Sequence, residues 1–432
     1  MVRRFARGAL PRGSSRVPGT TSQAAAPGLI TPADSGPRNG AATGAGIRPG
    51  RPFRLHRTAV LFLAPALLVA ALTVGQGGPA VAARGATSAA PTAQQIFNGM
   101  TDAQRVGQLL MVGCPSTTVS STCLAIIRSQ HVGSVILDGT STLSVSAEHG
   151  VTAGLQKAAP ASTKLFVATD QEGGLVRRMR GPGFTDYSTA LVQGTWNTAD
   201  LQYWATTWGT QLRTAGIDLD LAPVLDTVPT GDTRNPPIGD LDREYGHSVA
   251  RVTEKGIAVL RGLTSEGVDT AVKHFPGLGR VTANTDTTAH VTDPITTATS
   301  ASLKPFAAAI AARTPFVMLS TAVYTRIDGK NPAAFSHTIV AGLLRTTLGF
   351  HGVVISDDLG AAKQVASYAV GDRAVRFVAA GGDMVLTVKP AQASTMESAI
   401  LARMAASAAF TKQVHAAVLR VLQAKHARGL LH

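Results

Sequence analysis

From about residue 95 onward the chain alternates short apolar runs with longer helix-forming stretches, and this alternation limits the possible folds more than any other feature. It is the pattern of βα units, which pair their strands in parallel and cover the sheet with helices. The expected strands are Val106–Gly113, Val132–Leu137, Lys164–Thr169, Asp218–Leu225, Thr270–His274, Phe316–Ser320, Gly352–Ser356 and Asp383–Val388. Ala199–Ala215, Gly246–Glu266, Ser302–Ala312 and Ser336–Thr347 read as helices, the last two opened by serines placed to cap them. Eight such units within residues 94–432 predict an α/β fold, a single (β/α)8 barrel of the TIM type.

Charge separates this region from what precedes it. Of the formal net charge of +14, residues 1–84 carry +10, from eleven Arg against the single acid Asp34. The rest of the chain carries only +4 and has no basic stripe or RNA-binding aromatic motif, which argues against a nucleic-acid partner. Residues 1–50 are rich in Gly, Pro, Ala, Ser and Arg without apolar periodicity, so they read as a disordered leader or as the result of a start assigned too early. Arg51, Arg54 and Arg57 then precede the uncharged apolar run Thr58–Val74, and Ala80-Val81-Ala82 follows as a cleavage site. Residues 51–82 are thus expected to be a signal peptide of a secreted or cell-wall-associated protein. An uncleaved membrane anchor is the alternative, but the run is shorter than the roughly 20 residues a spanning helix needs and contains Pro65. Residues 83–93 read as a linker. In an exported chain, Cys114 and Cys123, with eight residues between them, are expected to form a disulfide across a loop.

In a barrel of this kind chemistry sits in the loops that follow the strands. There the sequence places Asp170-Gln171-Glu172-Gly173-Gly174, Asp226, Arg243, Lys273-His274 and Ser356-Asp357-Asp358. Carboxylates, a Lys, an Arg and a His converging on one rim suit a hydroxyl-rich ligand, and a pair of carboxylates suits glycosidic chemistry. The two glycines read as a tight turn, because no phosphate-cradling pattern surrounds them. No metal motif occurs and no cofactor is required.

These segments resemble glycoside hydrolase family 3, in its branch of bacterial β-N-acetylglucosaminidases acting on peptidoglycan fragments. The resemblance is carried by Asp170–Arg178, Ala222–Asp226, Ile238–Gly246, Lys273–Gly279, Ser356–Leu359 and Ala380–Leu386. It implies a carbohydrate substrate and a retaining β-N-acetylhexosaminidase with Asp357 as nucleophile. Asp170, Arg243, Lys273 and His274 are then sugar-hydroxyl ligands. Asp358 competes with Asp357, but side chains alternate at a strand end, so one of the two is expected to face the barrel mouth and the other to cap the following turn.

The chain departs from the family pattern at the acid/base. The branch carries an Asp-x-His dyad five residues beyond the second Gly of the Lys-His-Phe-Pro-Gly-x-Gly segment. Here Asn284 and Asp286 stand at those two positions, and Leu278 stands where the family often has His or Arg. Asp286 is the favoured proton donor, with His290 as the alternative. Two other functions remain open at this point: a family 3 β-glycosidase of different sugar preference, and a sugar-binding protein that has lost catalysis.

Overall fold

The computed structural model describes residues 91–231 and 234–432, so the leader, the signal segment and residues 83–90 of the expected linker lie outside the described residues. Eight parallel strands form one sheet: β1 Leu110–Pro115, β2 Ser134–Asp138, β3 Phe166–Thr169, β4 Leu219–Asp220, β5 Asp269–Phe275, β6 Phe316–Leu319, β7 Val353–Ser356 and β8 Val385–Thr387. Each pairs with its predecessor from β1 to β7, and β8 pairs with β1. A parallel bridge between Ile355 and Met384, with the Ser356 N–H donating to the Met384 carbonyl at 2.9 Å, links β7 to the start of β8 and closes the barrel. The strands are near-continuous apolar runs because closure buries one face inside the barrel and the helices bury the other; every residue of β3, β6, β7 and β8 is buried. Inside the described residues, no helix is long and apolar enough to cross a membrane.

The structure shifts several of the expected boundaries, for local reasons. The first expected strand began at Val106, but Asp102–Gly107 is helical and β1 starts at Leu110. A capping box explains this: the Thr101 hydroxyl accepts from the Gln104 N–H while the Gln104 side chain accepts from the Thr101 N–H. In the expected strand Asp218–Leu225 only Leu219 and Asp220 form a ladder; beyond them Val224 makes a single bridge to Lys273. Ser302 caps no helix, because the chain enters Lys304–Ala311 through a short 3-10 turn at Ala301–Leu303. Ser336 does open its helix, its hydroxyl accepting from the Ile339 N–H at 3.1 Å, but that helix, Thr338–Thr347, is wound as a π-helix.

Candidate active site

Four strand ends bring polar side chains to one mouth of the barrel. After β3 the chain makes a hairpin, Gln171–Gly173 against Val176–Arg177, whose turn uses Gly173 at φ +108° and Gly174 at φ +53°. Only glycine takes such angles at no steric cost, so the pair is the expected tight turn. It sets Asp170 and Glu172 side by side beneath the mouth. β5 carries Lys273 and His274 just before its last residue, Phe275. Its following loop packs so closely on the loop after β4 that a Cβ on Gly279 would lie 2.0 Å from the Thr227 carbonyl oxygen. That contact holds Asp226 directly under the β5 loop.

Buried ions form a network there. Lys273 Nζ lies 2.7 Å from Asp170 Oδ1 and 2.7 Å from Glu172 Oε1. Arg243 grips the same Glu172 carboxylate with two bonds, Nε to Oε2 at 2.8 Å and a terminal nitrogen to Oε1 at 2.7 Å, and donates to the Pro237 carbonyl at 2.7 Å. Burial alone would push the Glu172 carboxyl up, but Arg243 and Lys273 overcome it and hold the group down at about 2. Burial would likewise lower Lys273, and Asp170 and Glu172 instead raise it above the usual ammonium range. The network therefore keeps Glu172, Lys273 and Arg243 charged, with directed donors and acceptors facing the cavity. Asp226, fully buried, accepts from the backbone N–H groups of His274 at 3.2 Å and Leu278 at 2.7 Å, and pairs with His274 Nδ1 at 2.7 Å. It fixes the loop backbone and the imidazole orientation together.

Asp220, at the end of β4, is a neighbour that the sequence reading passed over. Its Oδ1 accepts from the Gln171 N–H at 3.0 Å, its Oδ2 has no partner, and burial pushes its carboxyl up to about 8. The folded protein thus favours the protonated form, and this contribution to stability is lost as pH rises from about 4 to about 8. Asp220→Asn keeps the acceptor and cannot ionise. The advantage of the variant over the wild type in melting temperature is expected to be small near pH 4 and to grow up to about pH 8; an advantage that does not grow with pH would contradict the assignment of a neutral Asp220.

Above the network lies a cavity of about 290 Å³ lined by Asp170, Arg243, Lys273, His274, Asp286 and Asp357 among others. Asp357 and Asp358 both border it, which corrects the expectation that only one of them would. They differ in availability. The Asp358 carboxylate is occupied by backbone N–H groups of Gly360 at 2.8 Å, Ala361 at 2.9 Å and Val388 at 3.1 Å, so it builds the turn after β7. The Asp357 carboxylate accepts only the Asp358 N–H, at 2.8 Å, leaving an oxygen free toward the cavity.

Asp286 reaches the same cavity from the loop after β5. Asn284 shapes that turn, its side-chain oxygen accepting from the Asp286 N–H at 2.8 Å and its carbonyl from the N–H groups of Thr287 at 3.3 Å and Thr288 at 2.9 Å. Asp286 keeps exposed surface at the mouth, but the pocket walls strip much of its hydration, and this, with the nearby Asp357 charge, pushes its carboxyl up to about 6. His290 is exposed, sits at φ +59° and is not part of the lining. Cys114 and Cys123 are joined in a disulfide that ties the end of β1 to the helix Ser121–Ser129.

From sequence, Glu172 stands among the polar residues past a strand end with no partner assigned; in the fold it is the common partner of both cations. Its place two residues after Asp170, past a strand end, was the available signal; the turn at Gly173-Gly174 that folds it back is visible only in three dimensions.

Comparison with known proteins agrees with this geometry. The sequence pattern described as Glycosyl hydrolase family 3 N terminal domain matches residues 101–424. A beta-hexosaminidase of Xylella fastidiosa strain M23 is 30% identical over 318 residues, covering 72% of this chain and 92% of that protein. The beta-hexosaminidase LpqI of Mycobacterium tuberculosis is 29% identical over 365 residues, covering 80% and 91%. Among solved structures, a beta-N-acetylhexosaminidase from Beutenbergia cavernae superposes with a TM-score of 0.75 at 48% identity, covering 76% of this chain and 99% of that one.

Proposed function

The chain belongs to glycoside hydrolase family 3, and on that premise we propose that it is an exported, retaining β-N-acetylhexosaminidase releasing terminal β-linked N-acetylglucosamine from cell-wall fragments. The observation that carries the reading is the convergence of Asp357, with a free carboxylate oxygen, and Asp286, with a raised pKa, on one cavity over the Asp170–Lys273–Glu172–Arg243 network. The names of its relatives support the sugar, and the Arg-led apolar segment at residues 51–82 supports export. In the first step an Asp357 oxygen bonds to the anomeric carbon as the glycosidic C–O bond breaks. Asp286 gives its proton to the departing oxygen. In the second, Asp286, now a carboxylate, takes a proton from water while the water oxygen displaces Asp357 from the same carbon, releasing the sugar in its original β configuration. The network orients the sugar through its hydroxyls, so that the anomeric carbon lies over Asp357.

The test is hydrolysis of an aryl N-acetyl-β-glucosaminide by the purified protein. Asp286→Ala is expected to lower kcat/KM on a poor leaving group by about 10²- to 10⁴-fold, the usual worth of a positioned general acid. His290→Ala, on exposed surface, should stay within about threefold of the wild type. The reverse ranking would move the proton donor to His290, and an inactive, well-folded wild type would remove the hydrolase reading. Because Asp286 must be protonated to act as the acid and its pKa is raised to about 6, kcat/KM should decline as pH climbs through that value. Release of N-acetylglucosamine from muropeptides tests the natural substrate, and the mass of the chain recovered from the medium of a secreting host tests cleavage near Ala82.

A further inference from the structure

The loop carrying Asp286 is fastened to the loop that follows Asp357. The Lys363 N–H donates to the Asp286 carbonyl at 3.1 Å and the Gln364 N–H to the Thr285 carbonyl at 3.0 Å. Farther along, the Val291 N–H donates to Gln364 Oε1 at 2.7 Å, and Gln364 Nε2 donates to the Val291 carbonyl at 3.1 Å. Gln364, 7% exposed, thus uses its side-chain amide as a strand neighbour would, satisfying both polar groups of one residue while its own backbone holds another. Residues 285 and 291 are pinned to one short 3-10 segment, Lys363–Val365, and the exposed residues between them include Asp286 and His290. The segment rises from the turn built by the Asp358 carboxylate, so the two strand ends, the nucleophile candidate and the proton-donor candidate share one hydrogen-bonded frame.

The geometry points to Gln364 as the positioning residue of the proton donor: by locking the 285–291 segment onto the β7 loop, it holds the Asp286 carboxyl over the cavity before any sugar arrives. This rests on Asp286 being the acid/base, as proposed above. Gln364 lies outside the cavity lining and touches no substrate position, so it acts only through the loop. Its removal leaves the buried Val291 N–H without its partner and takes one of two donors from the Val291 carbonyl, which keeps the Val323 N–H at 3.0 Å, and this loosens the segment from the β7 loop. Displacing a catalytic group by about 1 Å costs on the order of 100-fold in rate.

The experiment compares wild type, Gln364→Met, Gln364→Ala and Asp286→Ala on two aryl N-acetyl-β-glucosaminides, a phenyl one that needs protonation of its leaving group and a 2,4-dinitrophenyl one that does not. Gln364→Met keeps length and volume while losing both side-chain hydrogen bonds, so it remains informative if the alanine variant folds poorly. Expected for the Gln364 variants is a roughly 10- to 100-fold fall in kcat/KM on the phenyl substrate with less than about threefold change on the dinitrophenyl one. Inhibition by N-acetylglucosamine should be unchanged, and backbone amides of residues 285–291 should exchange faster with solvent. Equal losses on both substrates would show a merely structural role, and unchanged rates would show that the clamp does not position the acid; either overturns the inference. If Asp286→Ala itself shows no leaving-group dependence, the acid/base assignment falls and the inference with it. If Asp286→Ala shows that dependence and Gln364→Met does not, the clamp alone is rejected.

Discussion

Asp357→Ala is expected to lose turnover by roughly 10⁴-fold or more while still binding N-acetylglucosamine, because removing the member that forms the covalent bond leaves only binding and electrostatic assistance. The other carboxylates lining the cavity are committed elsewhere, Asp170 to Lys273 at 2.7 Å. Asp358 is held by three backbone N–H groups. Asp286 belongs to a different loop, pinned through Lys363 and Gln364. Little else should change, because the Asp357 carboxylate accepts a single hydrogen bond, from its neighbour's N–H, and the sugar-facing network does not include it. The alanine leaves a gap beneath the sugar that a small anion can fill. With the dinitrophenyl substrate, added azide should attack the anomeric carbon from that side as dinitrophenolate leaves, giving the α-glycosyl azide and restoring part of the rate. Asp358→Ala should behave differently, losing melting temperature as well as activity because the β7 turn loses its acceptor. Wild-type turnover in Asp357→Ala, or azide rescue of Asp358→Ala instead, would move the nucleophile to Asp358.

The barrel was legible because its strands are buried on both faces, which forces the apolar runs that the sequence displays. Where burial gives way to irregular backbone, legibility fails. β4 contributes only Leu219 and Asp220 to the ladder although the apolar run continues to Leu225, because the segment beyond leaves the sheet to bring Asp226 under the β5 loop. The site was legible in its residues and not in their pairing. Asp170, Arg243, Lys273, His274, Asp286 and Asp357 could each be found at or beyond a strand end. That Glu172 joins Lys273 to Arg243, that Asp226 pins His274, and that Gln364 reaches the Asp286 loop all depend on contacts between segments 48 to 101 residues apart in the chain. Asn284 illustrates the difference. By position it looked like a lost half of a dyad, whereas in the fold its side chain receives the Asp286 N–H and shapes the turn that presents Asp286.

Glu172→Gln should be the most damaging substitution for stability, costing about 3–5 kcal/mol near neutral pH, the range for breaking a buried ion pair by removing one partner. The glutamine has the same shape but no charge, so Arg243 is left without its bidentate carboxylate and Lys273 retains only Asp170. All three side chains are largely buried, at 4% exposure for Glu172, 3% for Lys273 and 15% for Arg243, so water cannot readily replace the lost partner. The pH dependence follows from the sign of the shift. Glu172 is held at about 2, below its unfolded value, so its stabilisation is present in full above that unfolded value near 4.5 and disappears as pH falls toward 2. The gap in unfolding free energy between wild type and Glu172→Gln should therefore be widest near neutrality and narrow through that acidic window, as read by denaturant titrations at several pH values. Adding Lys273→Met to Glu172→Gln should cost less than the sum of the two single changes, because the second substitution removes a charge the first had stranded. Strict additivity, or a gap that does not narrow with acid, would mean that the carboxylate is not carrying the two cations, and the ionic scaffold assigned to the sugar site would have to be rebuilt around Asp170.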